Sequence, residues 1–250
     1  MPGNYKKSHA AIAGKGSALR KYQDVIVGSR SLGTLAYFEL CLLLGQIPGA
    51  LGLFLRKMFW PRLFGSCGRG VQFGFGVILR HPGRVALGDN VIVSEHCILD
   101  ARSDYSDHAI MIASDVILSN HVMLSCKDGY ISLGARTGVG PQTIIQSTNR
   151  CEVLIGEDVM IGPRCYVVGG GNYHTERLDV PMREQGIDPD SGVRIGNDVW
   201  LGANVTVLGG TVVGSGSVLG AGAVVTKSMP DHAICAGVPA RQIRTRIDLS

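Results

Sequence analysis

Aromatic side chains are scarce in this sequence. Phe, Trp and Tyr make up 6% of its 250 residues, which argues against a layered core built on large rings and for small inward-facing side chains. Cysteine is too irregular for a framework: the seven residues, at 41, 67, 97, 126, 151, 165 and 235, are odd in number and include no Cys-x-x-Cys pair. Disulfide and zinc scaffolds are thereby disfavoured, and a reducing cytosol is the expected setting. A cleavable signal peptide is not expected, because the first apolar stretch starts about thirty residues in and lacks a small-residue cleavage site. An unbroken membrane-spanning run is missing too, since Gly45, Pro48, Gly49 and Gly52 divide the apolar residues 32–55. Against these absences stands one surplus, 35 glycines, which suits many tight turns. A chain of this length can hold one large domain or two small ones.

Charge is low overall, at +4, but unevenly spread. Residues 1–62 carry nine Lys or Arg against Asp24 and Glu39, a net +7; residues 63–250 carry fifteen against eighteen acids, a net −3. A basic segment on a slightly acidic body points to an anionic partner for that segment. Nucleic acid is disfavoured, because the charges are interleaved with aliphatic runs and no binding motif occurs. An anionic membrane surface fits better. Residues 32–55 hold one charged residue, Glu39, and are predicted to form a helix, a break and a second helix in the membrane interface. Lys6, Lys7, Lys15, Arg20, Lys21, Arg30, Arg56, Lys57 and Arg62 would then face anionic lipid at about 1 kcal/mol each, with Phe59, Trp60 and Phe64 as interfacial anchors. The expected location is cytoplasmic, attached peripherally to the inner face of the cell membrane. Packing of these helices on the end of the body or in a subunit interface is the competing expectation.

The rest of the chain repeats. Leu87, Val93 and Leu99 step by six, as do Ile112, Leu118, Leu124, then Leu133, Val139, Ile145, then Ile155, Ile161, Val167, and finally Ile195, Leu201, Val207, Val213, Leu219 and Val225. The next residue is often Gly, as at 88, 134, 140, 156, 162, 196, 202, 214 and 220, and four residues after most of the aliphatics comes a second, mostly small residue. No helical period keeps these positions on one face, and simple strand alternation does not call for a glycine every six. A solenoid with three flat faces does: each hexapeptide is one face, Gly turns the corner, and two residues point inward. The insertions, between 99 and 112, 124 and 133, 145 and 155, and 167 and 195, each follow three hexads, so all should leave at one shared corner. Residues 63–83 read as a frayed first coil through Val71 and Val77. The expected organisation is a helical segment over 1–62, a β body over 63–231 with a long loop at 168–194, and a tail over 232–250.

The stretches NYHTER from Asn172, PMREQG from Pro181, IGNDVWLGANVTVLGG from Ile195, LGAGAVVTK from Leu219 and AGVPARQIR from Ala236 resemble the hexapeptide-repeat acyltransferases, in the branch of the galactoside, maltose and surface-polysaccharide O-acetyltransferases. The resemblance covers about residues 85–246. It implies a mainly β fold, a left-handed parallel β-helix, assembled as a homotrimer with acetyl-CoA between neighbouring prisms.

It also assigns roles. The long insertion would carry the catalytic histidine, His174, with Asn172 and Tyr173 on the acceptor side. A neutral imidazole could take the proton of a sugar hydroxyl as its oxygen attacks the thioester, then return it to the leaving thiolate. The amide of Ala203 in an adjacent chain would stabilise the oxyanion. Trp200 would lie against the pantetheine arm, Ala221 would offer a backbone contact, Thr226 and Lys227 would meet the adenine end or a phosphate, and Arg241 and Arg244 would neutralise phosphates. Glu176, Asp179 or a backbone carbonyl could orient His174. His96, His108 and His121 read as structural or solvent-facing, with His108 and His121 also placed to line the acceptor side; Cys97 and Cys165 read as core packing. No metal is expected. The leading function is O-acetylation of a glycan or lipid-linked sugar in surface-polysaccharide biosynthesis. N-acetylation of an amino sugar, a zinc hydratase of the carbonic anhydrase type and a non-catalytic scaffold are the alternatives. The hydratase needs several converging histidines.

Overall fold

The computed structural model describes residues 17–188 and 190–246. Lys6, Lys7 and Lys15 of the basic segment lie outside them. From Ser66 onward the chain winds as a solenoid of short parallel strands on three faces, named first, second and third here in chain order. Strands Ser66–Cys67, Gln72–Phe73 and Ile78–Arg80 make the opening coil, and each pairs in parallel with the strand about twenty residues on. That coil, read from the sequence as frayed, is complete. Among the described residues the first and third faces carry seven strands each and the second carries nine. On the second face Ala233–Ala236 adds in parallel, and Arg241–Thr245 folds back on it antiparallel.

All eighteen aliphatic residues at six-residue spacing are buried, as are partners four positions later such as Val91, Cys97, Cys165 and Ser217. Backbone bonds run along the axis from coil to coil, as in Ile92 N–H to Val116 O at 2.9 Å and Ile117 N–H to Thr137 O at 3.1 Å. A strand two residues long is marginal alone; stacking makes each coil the template for the next. Where the inward residue is polar it is satisfied. The Thr137 hydroxyl donates to Gly156 O at 3.0 Å and accepts from Val159 N–H at 3.2 Å.

The corners are not turned by the glycines that follow the aliphatics. The left-handed residue comes two positions later, at Asn90, His96, Asp115, Arg136, Asp158 and Asn204, with φ between 57° and 61° in every case. Asn and Asp tolerate that conformation, and the compact coil imposes it on the others. The glycines serve a different need. A Cβ at Gly88, Gly134 or Gly162 would stand 2.4–2.7 Å from backbone of the next coil, so they are sites of close approach.

The insertions do leave at one corner. Residues 101–109, 127–130, 148–152 and 170–192 each connect the third face to the first.

Helices α1 (Ala18–Tyr22), α2 (Leu32–Gly45) and α3 (Gly49–Phe59) cap the first coil. The expected break between two helices falls at residues 46–48. The cap corrects three of the lipid-facing assignments. Trp60, 1% exposed, and Phe64 are core residues; their rings stand 5.3 and 5.2 Å from Phe73, and the Trp60 indole N–H donates to Cys41 O at 3.0 Å. Arg56 is 2% exposed. Its guanidinium donates to Gly45 O at 3.0 Å, Ile47 O at 2.9 Å and Phe73 O at 2.9 Å. It thus satisfies carbonyls left open at the C-terminus of α2 and ties them to the first coil. Arg56 is one of nine cations in residues 1–62, and the fold makes it a clamp.

Candidate active site

The long loop is built as a small hairpin. Asn172–Tyr173 pairs antiparallel with Ile187–Asp188, and a helical turn, α4 (Met182–Gln185), closes its far end. Gly170 starts it with φ +80°, and a Cβ there would meet Thr148 O at 2.5 Å, so the chain can leave the prism at this point only through glycine. The base of the loop is fastened by Asp190. Its carboxylate accepts from Gly192 N–H at 2.7 Å, Gly170 N–H at 3.0 Å and the Asn172 amide at 3.1 Å, joining both ends of the loop. The tip is fastened by Gln185, which accepts from Arg177 N–H at 3.1 Å and donates to Arg177 O at 2.6 Å and Val180 O at 3.1 Å.

His174 follows this hairpin strand. Its side chain is 42% exposed, with Nδ1 3.7 Å from a Glu176 oxygen, and its N–H donates to Gly186 O at 3.3 Å. A gap of 3.7 Å exceeds a hydrogen bond, so Glu176 does not fix the orientation of the ring. Asp179, the other carboxylate considered from the sequence, is engaged by Arg177, with Nε to Oδ1 at 3.1 Å. The Arg177 guanidinium holds the Asp179 carboxyl below the usual carboxylate range. Tyr173 is exposed beside His174.

Trp200 stands on the outer side of the second face and is 51% exposed. Across successive strands it is in register with Val218, then Ile234, then Arg244. At about 4.8 Å per strand this ladder is roughly 14 Å long, apolar at one end and cationic at the other. Arg241 lies on the same final strand, with one guanidinium N–H on Ala240 O at 2.9 Å. Ala203 and Ala221 stack in consecutive coils at the corner between the second and third faces, where Gly222 N–H donates to Ala203 O at 2.8 Å. Earlier coils put Pro141 and Pro163 in the same column, a position whose amide has no coil-to-coil partner. Among the described residues the amides of Ala203 and Ala221 donate to no acceptor, leaving two aligned donors. Thr226 and Lys227 occupy the corner between the third and first faces, the corner from which the His174 loop also leaves.

One chain therefore gathers the predicted residues into two groups. Asn172, Tyr173 and His174, with Thr226 and Lys227, belong to one corner; Trp200, Ala203, Ala221 and Arg244 belong to the second face and the next corner. His96 and His121 turn that same second corner in earlier coils, with rings stacked at 5.1 Å, and His108 lies by Gly65 at the cap end, its Nδ1 buried without a partner. Among the described residues no three His, Cys, Asp or Glu side chains are grouped to hold a metal. Asp190 and Gln185 escaped the sequence reading. Asp190 leaves a trace, since an Asp two residues before Gly192 is the sequence of a side-chain-closed turn.

A family model of the bacterial transferase hexapeptide, comprising six repeats, matches residues 192–227. Over those residues the chain is similar to the hexapeptide-repeat transferases. Among relatives, Rv3034c of Mycobacterium tuberculosis H37Rv, named for a proposed acetyltransferase activity, is 34% identical over 119 residues, covering 48% of this chain and 38% of its own. WbbJ of Escherichia coli K12, named for a proposed role as lipopolysaccharide biosynthesis O-acetyl transferase, is 42% identical over 98 residues, covering 37% of this chain and 50% of its own. The chain thus spans half or less of the length of these relatives. Crystals of a mutant of AntD, an N-acyltransferase from Bacillus cereus, in complex with dTDP and coenzyme A, show the same fold at 20% identity, with a TM-score of 0.52 over 74% of this chain and 89% of that one.

Proposed function

We propose that the protein transfers an acetyl group from acetyl-CoA to a sugar hydroxyl in surface-polysaccharide assembly, and does so as a homotrimer. The observation that carries the reading is the half-exposed His174 on an anchored loop. The chain offers what acyl transfer needs: a base free to meet solvent-borne substrate, unengaged amides, and an apolar-to-cationic ladder suited to a long phosphate-ended thiol ester. The separation of the two groups supports trimeric assembly, because a neighbouring prism would supply the half that one chain lacks. The names of WbbJ and Rv3034c support acetyl transfer, and that of WbbJ supports a glycan hydroxyl.

In this reading His174 takes the proton of the acceptor hydroxyl as its oxygen bonds to the acetyl carbonyl carbon. The amide of Ala203 in a neighbouring copy donates to the carbonyl oxygen as it gains negative charge. The C–S bond then breaks, and the imidazolium returns its proton to the departing sulfur. Acetyl-CoA supplies the activated acyl group; Trp200 would flank its arm, and Arg241 and Arg244 would meet its phosphates. The Glu176 carboxylate stands 3.7 Å from Nδ1 of the ring that would carry the transient charge. The test is thiol release from acetyl-CoA with a panel of sugars and amino sugars, run on the intact chain and His174→Ala. Turnover with hydroxyl acceptors that depends on His174 supports the proposal; acylation of amino sugars alone would move it to nitrogen, and turnover unchanged in the variant would remove His174 from the mechanism.

A further inference from the structure

We propose that the N-terminal helical cap docks this protein on an anionic lipid surface through the outer sides of α2 and α3. The inference does not depend on the transfer reaction. It rests on a helix pair that is apolar on both sides but covered on only one. From α2, Phe38 and Cys41 enter the core, while Leu32, Leu40 and Leu43 stay in solvent, Leu43 at 71% exposure. From α3, Gly52 and Arg56 face inward, while Leu51, Phe54 and Met58 are exposed, Phe54 at 59%. A helix apolar all round belongs in a core or against lipid, and on each helix the exposed apolar residues, at 32, 40 and 43 and at 51, 54 and 58, recur at helical spacing on one side.

Charge decides the occupant. The carboxylates near the patch are engaged: Glu39 accepts from the Tyr22 hydroxyl at 2.5 Å, and Asp24 holds Arg30 at 2.8 and 2.9 Å. Burial, with the Glu39 hydrogen bond second, pushes the Tyr22 hydroxyl up to about 12. Arg20, Lys57 and Arg62 are exposed, and the sequence adds Lys6, Lys7 and Lys15 ahead of α1. Lys57 lies between Phe54 and Met58 on α3. Protein–protein interface cores are depleted in lysine, whereas at a lipid surface a lysine lays its stem on apolar neighbours and keeps its ammonium among the phosphates. Among the described residues no single helix is long and apolar enough to cross a membrane; α1 and the turns to Val27 form, with α2, a pair bent by 69° that is apolar and long enough together. A broken apolar plate with basic neighbours suits a surface lying in the interface plane.

The experiment is flotation of the full chain with phosphatidylcholine vesicles, with or without phosphatidylglycerol. The intact protein should float with the anionic vesicles, less with neutral ones, and salt should weaken binding without abolishing it, since screening acts on the charges and not on the apolar contacts. Leu43→Glu with Phe54→Glu should lower the bound fraction about tenfold or more, with unchanged melting and scattering mass. Lys57→Glu should lower binding to the anionic vesicles alone, and serves if the double variant fails to fold. An intact chain that stays soluble at low salt overturns the proposal. So does a folded double variant that floats like the parent, or one whose assembly mass changes while vesicle binding persists, which would make the patch a subunit contact.

Discussion

The prism and the His174 loop are held together in opposite ways. In the prism, stability is spread over many equivalent contacts: eighteen buried aliphatics, on strands that pair with those of the neighbouring coils. Among the described residues the loop from 171 to 188 buries no side chain. It depends on two polar side chains, Asp190 at the base and Gln185 at the tip. Distributed contacts make a scaffold that no loop change readily melts, and concentrated contacts make a loop whose shape can be altered by one substitution. Chemistry and stability should therefore separate cleanly under mutation.

The largest expected effect sharpens that separation. His174→Ala should cut acetyl transfer by about two to four orders of magnitude, with no change in thermal melting, because the ring is half-exposed and makes no core contact. Initial rates of thiol release beside a melting curve check both halves. Leu124→Ala should do the reverse, costing about 2–5 kcal/mol of stability while residual activity at low temperature survives; Leu124 is fully buried in the middle of the stack, and denaturant titration measures the loss. If both variants lose activity and stability together, the comparison fails.

Asp190→Ala should lie between them. Removing the shared acceptor of Gly170, Gly192 and Asn172 frees the loop, displaces His174, and should lower turnover about tenfold to a hundredfold. Hydrogen exchange should rise over residues 170–188 and stay unchanged in the coils. The smallest effect is chemical. Burial pushes the Cys97 and Cys126 thiols up to about 11, so at pH 8 about one thiol in a thousand is ionised. Alkylation of these two in the native protein should be slow and should accelerate only on unfolding, as peptide mapping would show.

The prism was legible because its cause is local and repeated: the same inward residue returns every six positions, and an insertion that respects the register must leave at the same corner. The corner itself was misread. Glycine after each aliphatic looks like a turn, yet its role is set by the neighbouring coil about twenty residues away, and the true turn residues, among them His96 and Arg136, carry no common side chain. In the cap, Arg56 and Trp60 read as lipid-facing because composition cannot show which side of a helix a second element will cover. His174 stood out as the histidine of the longest insertion, but Asp190, sixteen residues on, becomes its support only when the hairpin folds back. The division of the site over two corners follows from coil count, which sequence spacing contains but which only the face-by-face register makes visible.

The shared exit corner has a further consequence. Because the loops at 101–109, 127–130, 148–152 and 170–192 all leave from one edge, the other two edges carry an uninterrupted register from cap to tail. A lineage can lengthen, shorten or exchange segments along that single edge without resetting a single coil. Under the proposed function, the ladder from Trp200 to Arg244 would pass unchanged through such exchanges, and related chains would keep one way of holding the acyl donor while each drafts its own acceptor.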